Sequence, residues 1–140
     1  MFPYLLIPVL LYNVIALFAG DPAPDGSPAI LQWVDATAFS LPMLSGVTLS
    51  LGWGDLLVVF AVIFLFIEVV KATGTGSAGI VNHMLSMGLF IVCFVEFLMF
   101  QSFATSSFFI ITMIVLLDAL AGMVVTIVSA RRDFGVEGMG

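Results

Sequence analysis

Three carboxyl side chains lie inside long apolar stretches of this chain, where they could carry protons or cations. Asp118 lies near the middle of the fourth stretch, Glu96 in the third and Glu68 near the end of the second. An Asp at the centre of a membrane span costs roughly 2.5–3.5 kcal/mol on insertion scales. Such residues face protein or water, so each carboxyl group indicates either a functional site or a polar contact between helices.

Two further polar side chains could serve these carboxyl groups. Asn13, in the first apolar stretch, is a candidate hydrogen-bond partner for Asp118. His83 extends a polar stripe on the third stretch that includes Glu96. If both polar faces bordered one cavity, two carboxyl groups at different depths with a histidine at the inner mouth would resemble a proton relay. No basic residue lies at matching depth, so we favour helix packing over transport and keep both interpretations.

The stretch that carries Asp118 also has small side chains on the same helix face. Gly122 and Thr126 follow at four-residue intervals, and Ser129 comes three residues later. At this spacing all of them share one narrow face of a helix. Small residues there allow another helix to approach closely. We therefore expect this face to pack against protein, and the opposite face, rich in Ile, Leu and Val, to contact lipid.

The composition of the chain predicts a membrane protein. Of its 140 residues, 62% are hydrophobic and 9% are charged, and the mean hydropathy is +1.28. An average soluble domain has about a quarter charged residues. A transmembrane helix needs about 20 mainly apolar residues. The chain is therefore predicted to be a single all-α domain with four transmembrane helices, at roughly 2–19, 56–70, 78–100 and 107–129. Asp55, which directly precedes the second span, is its predicted N-cap.

The basic residues predict the orientation of these spans. Lys71 follows the second span, and Arg131 with Arg132 follows the fourth. Because basic residues favour the cytoplasmic side, we expect both termini and the tail, residues 130–140, in the cytoplasm. Glu68 and Lys71 predict an ion pair at the interface, with the lysine reaching the headgroups. The first stretch lacks a basic n-region, so we expect a retained span, which suits a bacterial inner membrane.

The 35-residue segment between the first two spans, residues 20–54, is predicted to lie outside and to have structure of its own. A short interfacial helix or strand is expected first. Residues 39–44 and 47–51 then flank Ser45-Gly46, and apolar and polar side chains alternate in the second of these runs. This pattern predicts a β-hairpin with a two-residue turn. Pro42 would confine its strand to a sheet edge.

Several function classes are disfavoured by residue counts. Three basic residues are too few for a nucleic-acid surface. Cys93 cannot form a disulfide within one chain, and its Phe/Val surroundings indicate a small buried hydrophobe. One histidine with one cysteine offers no metal-ligand spacing. We find no catalytic set, and we therefore expect a non-enzymatic chain without a metal or a cofactor.

These observations lead to two functional hypotheses. The leading one is a small integral membrane protein in the lipid bilayer that acts as a structural or accessory subunit. It would form a homo-oligomer or join a larger membrane-protein complex through the Asp118, Gly122 and Thr126 face and the outer loop. The alternative is a small oligomeric proton or cation transporter or channel that uses Asp118 and Glu96.

Overall fold

The computed structural model describes residues 2–73 and 77–138 of the chain. This part contains five α-helices, one two-stranded antiparallel sheet and a short 3-10 turn. In chain order the elements are α1 (Leu6–Phe18), α2 (Ile30–Val34), β1 (Thr37–Pro42), β2 (Thr48–Gly52), α3 (Trp53–Ala72), α4 (Ser77–Met99), the 3-10 turn (Gln101–Phe103) and α5 (Ser106–Glu137).

Three of the described helices, α3, α4 and α5, are long and apolar enough to cross a membrane. They coincide with the second, third and fourth predicted spans. α1 has 13 residues, which cover about 20 Å at 1.5 Å per residue and fall short of the ~30 Å hydrocarbon layer. The structure thus confirms a mainly helical chain with three membrane-type helices, and the first predicted span, at α1, stays a prediction.

α5 is the central helix of the bundle. It packs most extensively against α4 and next against α3. Its buried side carries Phe108, Ile111 and Val115, which belong to the hydrophobic core. Glycine allows close approach at the start of α3, because a Cβ at Gly54 would overlap the Val34 side chain and the Ser107 hydroxyl group. α2 and the first turn of α5 can therefore both contact the start of α3.

α1 lies alongside α3 and runs in the opposite direction. At one end, the Lys71 ammonium group donates to the backbone oxygen of Phe2 at 3.2 Å. At the other end, Phe18 and Trp53 border the same groove. The segment from residue 2 to residue 18 therefore extends from the last turn of α3 to its first residue.

The predicted hairpin is present, with a longer loop than expected. β1 and β2 pair in the antiparallel direction, with Leu41 opposite Leu49. Beyond the strands, the N–H of Met43 donates to the oxygen of Val47 at 2.9 Å, so three residues form the loop. Gly46, the last of them, has a φ of +84°. A left-handed glycine at this position is typical of three-residue hairpin loops, whereas a two-residue turn was predicted.

Polar side chains stabilise the starts of α3 and α5, with one difference from the prediction. The N-cap of α3 is Gly52, and Asp55 lies in the first helical turn. The Asp55 carboxylate accepts from the Gly52 N–H at 2.9 Å, so it stabilises the helix start from inside the helix. At α5, the Thr105 hydroxyl oxygen accepts from the N–H of Phe108 at 3.2 Å, an N-cap contact.

The predicted cytoplasmic tail continues the last helix. α5 extends to Glu137, whereas the fourth predicted span ends at residue 129. The intervening residues include no proline, and arginine has a high helix propensity, so nothing stops the helix at the predicted boundary. Arg131, Arg132 and Phe134 are exposed on this extension.

Candidate functional site

A buried ion pair lies where the end of α3 meets the first turns of α4. Glu68 is only 1% exposed. Its Oε1 accepts from Lys71 Nζ at 2.9 Å, and its Oε2 accepts from Asn82 Nδ2 at 3.0 Å. The backbone N–H of Tyr4 also donates to Oε1. The carboxylate of Glu68 therefore joins α3, α4 and the segment that precedes α1.

Lys71 is turned toward the protein, whereas the sequence predicted that it reaches the lipid headgroups. Its ammonium group also donates to Asn82 Oδ1 at 3.2 Å and lies 3.9 Å from the centroid of the Tyr4 ring. The side chain is 19% exposed. Oxygen acceptors and an aromatic face within reach of one ammonium group explain this orientation. The pair neutralises the charge of Glu68 inside the protein.

Asp118 lies between α5 and α4 and is 3% exposed. Ser86 of α4 is its polar neighbour, but the Ser86 hydroxyl group donates to the backbone oxygen of Asn82 at 3.1 Å. A serine has only one hydroxyl proton to donate. Among the residues that the structure describes, Asp118 Oδ2 has no hydrogen-bond partner. The other ionisable groups near Asp118 are Glu68, His83 and Lys71.

His83 packs directly on Gly122, one helical turn beyond Asp118. A Cβ at Gly122 would overlap the imidazole ring at Nδ1. Within the described ranges, this buried Nδ1 also has no hydrogen-bond partner. Thr126 is half-buried and its hydroxyl group donates to the oxygen of Gly122 at 2.9 Å, while Ser129 is exposed. Of the predicted packing face, only Asp118 and Gly122 are buried in the interface with α4.

A second polar site contains Glu96. Its Oε2 accepts from Asn13 Nδ2 at 3.3 Å, and Asn13 also donates to the backbone oxygen of Val9 at 3.0 Å. We expected Asn13 beside Asp118. The structure places it beside Glu96 instead, because the two residues lie at the same height where α1 approaches α4.

Tyr12, which the sequence analysis did not single out, fixes α1 to the start of α5. Its hydroxyl group donates to the backbone oxygen of Ser102 at 3.0 Å and lies 2.6 Å from Thr105 Oγ1. Its ring packs on the rings of Phe103 and Phe108. A tyrosine in an otherwise apolar helix indicates a specific hydrogen bond, because a buried hydroxyl group requires a partner.

The two polar sites are separate. Ser86, the neighbour of Asp118, precedes Glu96 by ten residues on α4, or about 15 Å along the helix. The geometry therefore does not bring Asp118 and Glu96 to one cavity. We call the first site the Glu68 cluster, which consists of Glu68, Lys71, Asn82, His83, Ser86 and Asp118.

Asn82 is the member of the Glu68 cluster that sequence reasoning missed. Both ends of its amide form hydrogen bonds, since its nitrogen donates to Glu68 and its oxygen accepts from Lys71. Its signal was available in the sequence, because Asn82 precedes Ser86 by four residues and so shares a helix face with it. An amide side chain in an apolar helix indicates a polar contact as a charged side chain does, since it also requires hydrogen-bond partners.

The chemistry of the Glu68 cluster is that of acids and bases. Among residues 2–73 and 77–138, no group of three or more His, Cys, Asp and Glu side chains is placed to hold a metal ion. Cys93 is buried and carries a free thiol. A carboxyl group and an imidazole one helical turn apart can each bind and release a proton, and the adjoining ion pair supplies fixed charges.

The β-hairpin is the second surface of interest. Residues 37–54 contain no charged side chain. Paired residues of an antiparallel sheet share a face, so Phe39 with Leu51 and Leu41 with Leu49 form one apolar face. Leu41 and Leu49 are each 44% exposed, and Leu44 at the tip is fully exposed. Such a surface indicates contact with lipid or with another protein.

Comparison of the chain with models of protein families, with curated proteins and with solved structures found no match.

Proposed function

We propose that this chain is a structural subunit of a bacterial inner membrane that self-associates through the free edge of its β-hairpin. In this proposal four helices span the bilayer, both termini are cytoplasmic, and the hairpin lies on the outer side. The observation that carries the proposal is an exposed, charge-free hairpin in which one edge is blocked by proline and the other is open.

The hydrogen-bond pattern of the hairpin identifies the open edge. The backbone bond between Met43 and Val47 fixes the alternation of the ladder, so Thr48 and Ser50 direct their N–H groups away from β1. On the other edge, the corresponding position of β1 is Pro42, which has no N–H to offer. Proteins commonly blunt exposed edges with proline or charge. β2 carries neither.

A second copy of the chain fits this edge. If two β2 strands pair in the antiparallel direction around a twofold axis at Leu49, Thr48 of one copy pairs with Ser50 of the other. The result is a four-stranded sheet with both apolar faces on the same side. A two-stranded hairpin is marginally stable by itself, whereas three or more strands with an apolar face are stable. Self-association therefore supplies what the isolated hairpin lacks.

Cysteine cross-linking tests this arrangement in native membranes. Leu49→Cys places two cysteines directly opposite each other across the axis, where Cβ atoms are about 4.5–5.5 Å apart. Leu41→Cys is the matched control, because Leu41 has the same exposure and lies on the same face. Its two copies would be three strand spacings apart, roughly 14 Å, too far for a disulfide. The native Cys93 is buried and adds no background.

We expect oxidation to give a covalent dimer with Leu49→Cys and none with Leu41→Cys. Equal cross-linking of both variants would show contact between hairpin faces and would overturn edge pairing. Cross-linking of neither variant would overturn self-association through the hairpin and favour a hairpin that rests on lipid. Native mass spectrometry of the wild-type protein in nanodiscs should independently show an even number of copies.

A further inference from the structure

The Glu68 cluster contains an unusual pair of side-chain atoms. Throughout the part of the chain that the structure describes, His83 Nδ1 and Asp118 Oδ2 are the two buried side-chain nitrogen or oxygen atoms that lack a hydrogen-bond partner. They lie on neighbouring turns of one helix interface, His83 on α4 and Asp118 on α5. Buried polar groups are otherwise paired in folded proteins, so the coincidence of two such atoms in one place requires an explanation.

If His83 is neutral and Asp118 is ionised, the Glu68 cluster has a net charge of −1, and one bound proton would make it neutral. α3 contributes Glu68 and Lys71, which neutralise each other at 2.9 Å. α4 contributes His83 with the uncharged Asn82 and Ser86, and α5 contributes Asp118. The next basic residue on α5 is Arg131, about 20 Å further along the helix. With a neutral imidazole, an ionised Asp118 would be an uncompensated buried charge, which is strongly unfavourable.

We propose that His83 and Asp118 together form a binding site for one proton. The proton is held either on His83, as imidazolium with Asp118 a carboxylate, or on Asp118, as a carboxylic acid with His83 neutral. Both arrangements make the charge of the Glu68 cluster zero. Release of the proton to water leaves one net negative charge between α4 and α5, and its uptake restores neutrality. The site is independent of the proposed self-association, since the hairpin contains none of its residues.

His83 borders a surface groove of about 270 Å³ between α4 and α5. The rest of the groove is mainly apolar, with Met87 and Met123 among its lining side chains. Asp118 does not line this groove, so the imidazole ring stands between the buried carboxyl group and the surface. A histidine in that position can pass a proton inward by binding it at one ring nitrogen and releasing it from the other.

The single histidine of the chain makes the site directly measurable. Histidine labelled with ¹³C and ¹⁵N gives one imidazole signal, which can be titrated in nanodiscs between about pH 5 and pH 9, where imidazole changes charge. We expect Asp118→Asn to weaken proton binding at His83 by about tenfold or more, because the amide cannot supply the negative charge. Glu96→Gln, a carboxyl change in the separate site, should leave the His83 titration unchanged.

Equal titration midpoints in the wild type and in Asp118→Asn would overturn the proposal. A wild-type midpoint that depends on sodium, when sodium chloride replaces choline chloride, would overturn the proton assignment in favour of a cation. The wild-type protein alone provides a second test if Asp118→Asn does not fold. With ¹³C-labelled aspartate, the infrared carboxyl or carboxylate bands should shift at the pH at which His83 titrates, because either the protonation of Asp118 or the charge of the nearby imidazole changes there. Aspartate bands that do not respond to the His83 titration would contradict a coupled pair.

Discussion

At the scale of the residue, the structural role of Glu68 depends on partners that are distant in sequence. Its three-residue spacing to Lys71 predicted an ion pair, and the pair exists at 2.9 Å. Helical spacing concerns only one helix, so it could not predict that Asn82 and the backbone of Tyr4 complete the burial of the carboxylate. For the same reason, the sequence identified Asp118 as a costly residue and His83 as a polar candidate, but it placed Asn13 beside Asp118, whereas Asn13 contacts Glu96.

The ion pair predicts a specific stability pattern. Glu68→Gln should lower the free energy of unfolding by roughly 3–5 kcal/mol, because it leaves the charge of Lys71 without its partner. The double variant Glu68→Gln with Lys71→Gln should lose less, since no unpaired charge remains. Denaturant titration in detergent, followed by circular dichroism, measures both.

Asp133→Asn, an exposed acid on α5, is the control and should change stability by no more than about 0.5 kcal/mol. Equal losses in the single and the double variant would show that the charge pair itself is not what stabilises this contact.

At the scale of the element, the pairing of α4 with α5 depends on one glycine. The small-residue spacing on α5 predicted a close helix approach, and Gly122 is where His83 makes that approach. The sequence could not predict which side chain fills the space, because several residues of α4 have helical spacing compatible with it. The hairpin shows a similar limit, since alternation predicted the strands while the φ of +84° at Gly46 decided the loop length.

Two glycine variants separate packing from helix propensity. Gly122→Ala should destabilise the protein by about 1–3 kcal/mol, because the new methyl group overlaps the His83 ring. Gly88→Ala is the matched control on α4, where a Cβ would meet no atom within 4 Å. It should stabilise by up to about 1 kcal/mol through helix propensity.

Thermal unfolding in the same detergent compares the two variants. Combining Gly122→Ala with His83→Ala should recover most of the loss, because the shorter side chain removes the overlap. A Gly122→Ala protein as stable as the Gly88→Ala protein would mean that α4 and α5 do not approach as closely as described.

At the scale of the whole molecule, the segment from residue 2 to residue 18, which includes the short α1, extends along most of the length of α3. Lys71 and Phe2 meet at one end, and Phe18 and Trp53 border one groove at the other. From Tyr4 to Phe18 the chain rises about 21 Å if helical, close to the rise from Glu68 back to Gly54 on α3. The 13-residue length of α1 alone argues against a span, whereas its position beside α3 favours one.

Thiol labelling decides between these two topologies. We expect Asp21→Cys to react with a membrane-impermeant maleimide in intact bacterial cells, and Phe2→Cys and Ser129→Cys to react only after permeabilisation, because α1 then crosses the bilayer in the direction opposite to α3. All three positions are exposed, and the buried Cys93 does not compete. Reaction of Phe2→Cys from the same side as Asp21→Cys would show that α1 does not cross. In that case only α3, α4 and α5 would span the membrane, and the positive-inside orientation would hold for Lys71 and the arginines but not for the amino terminus.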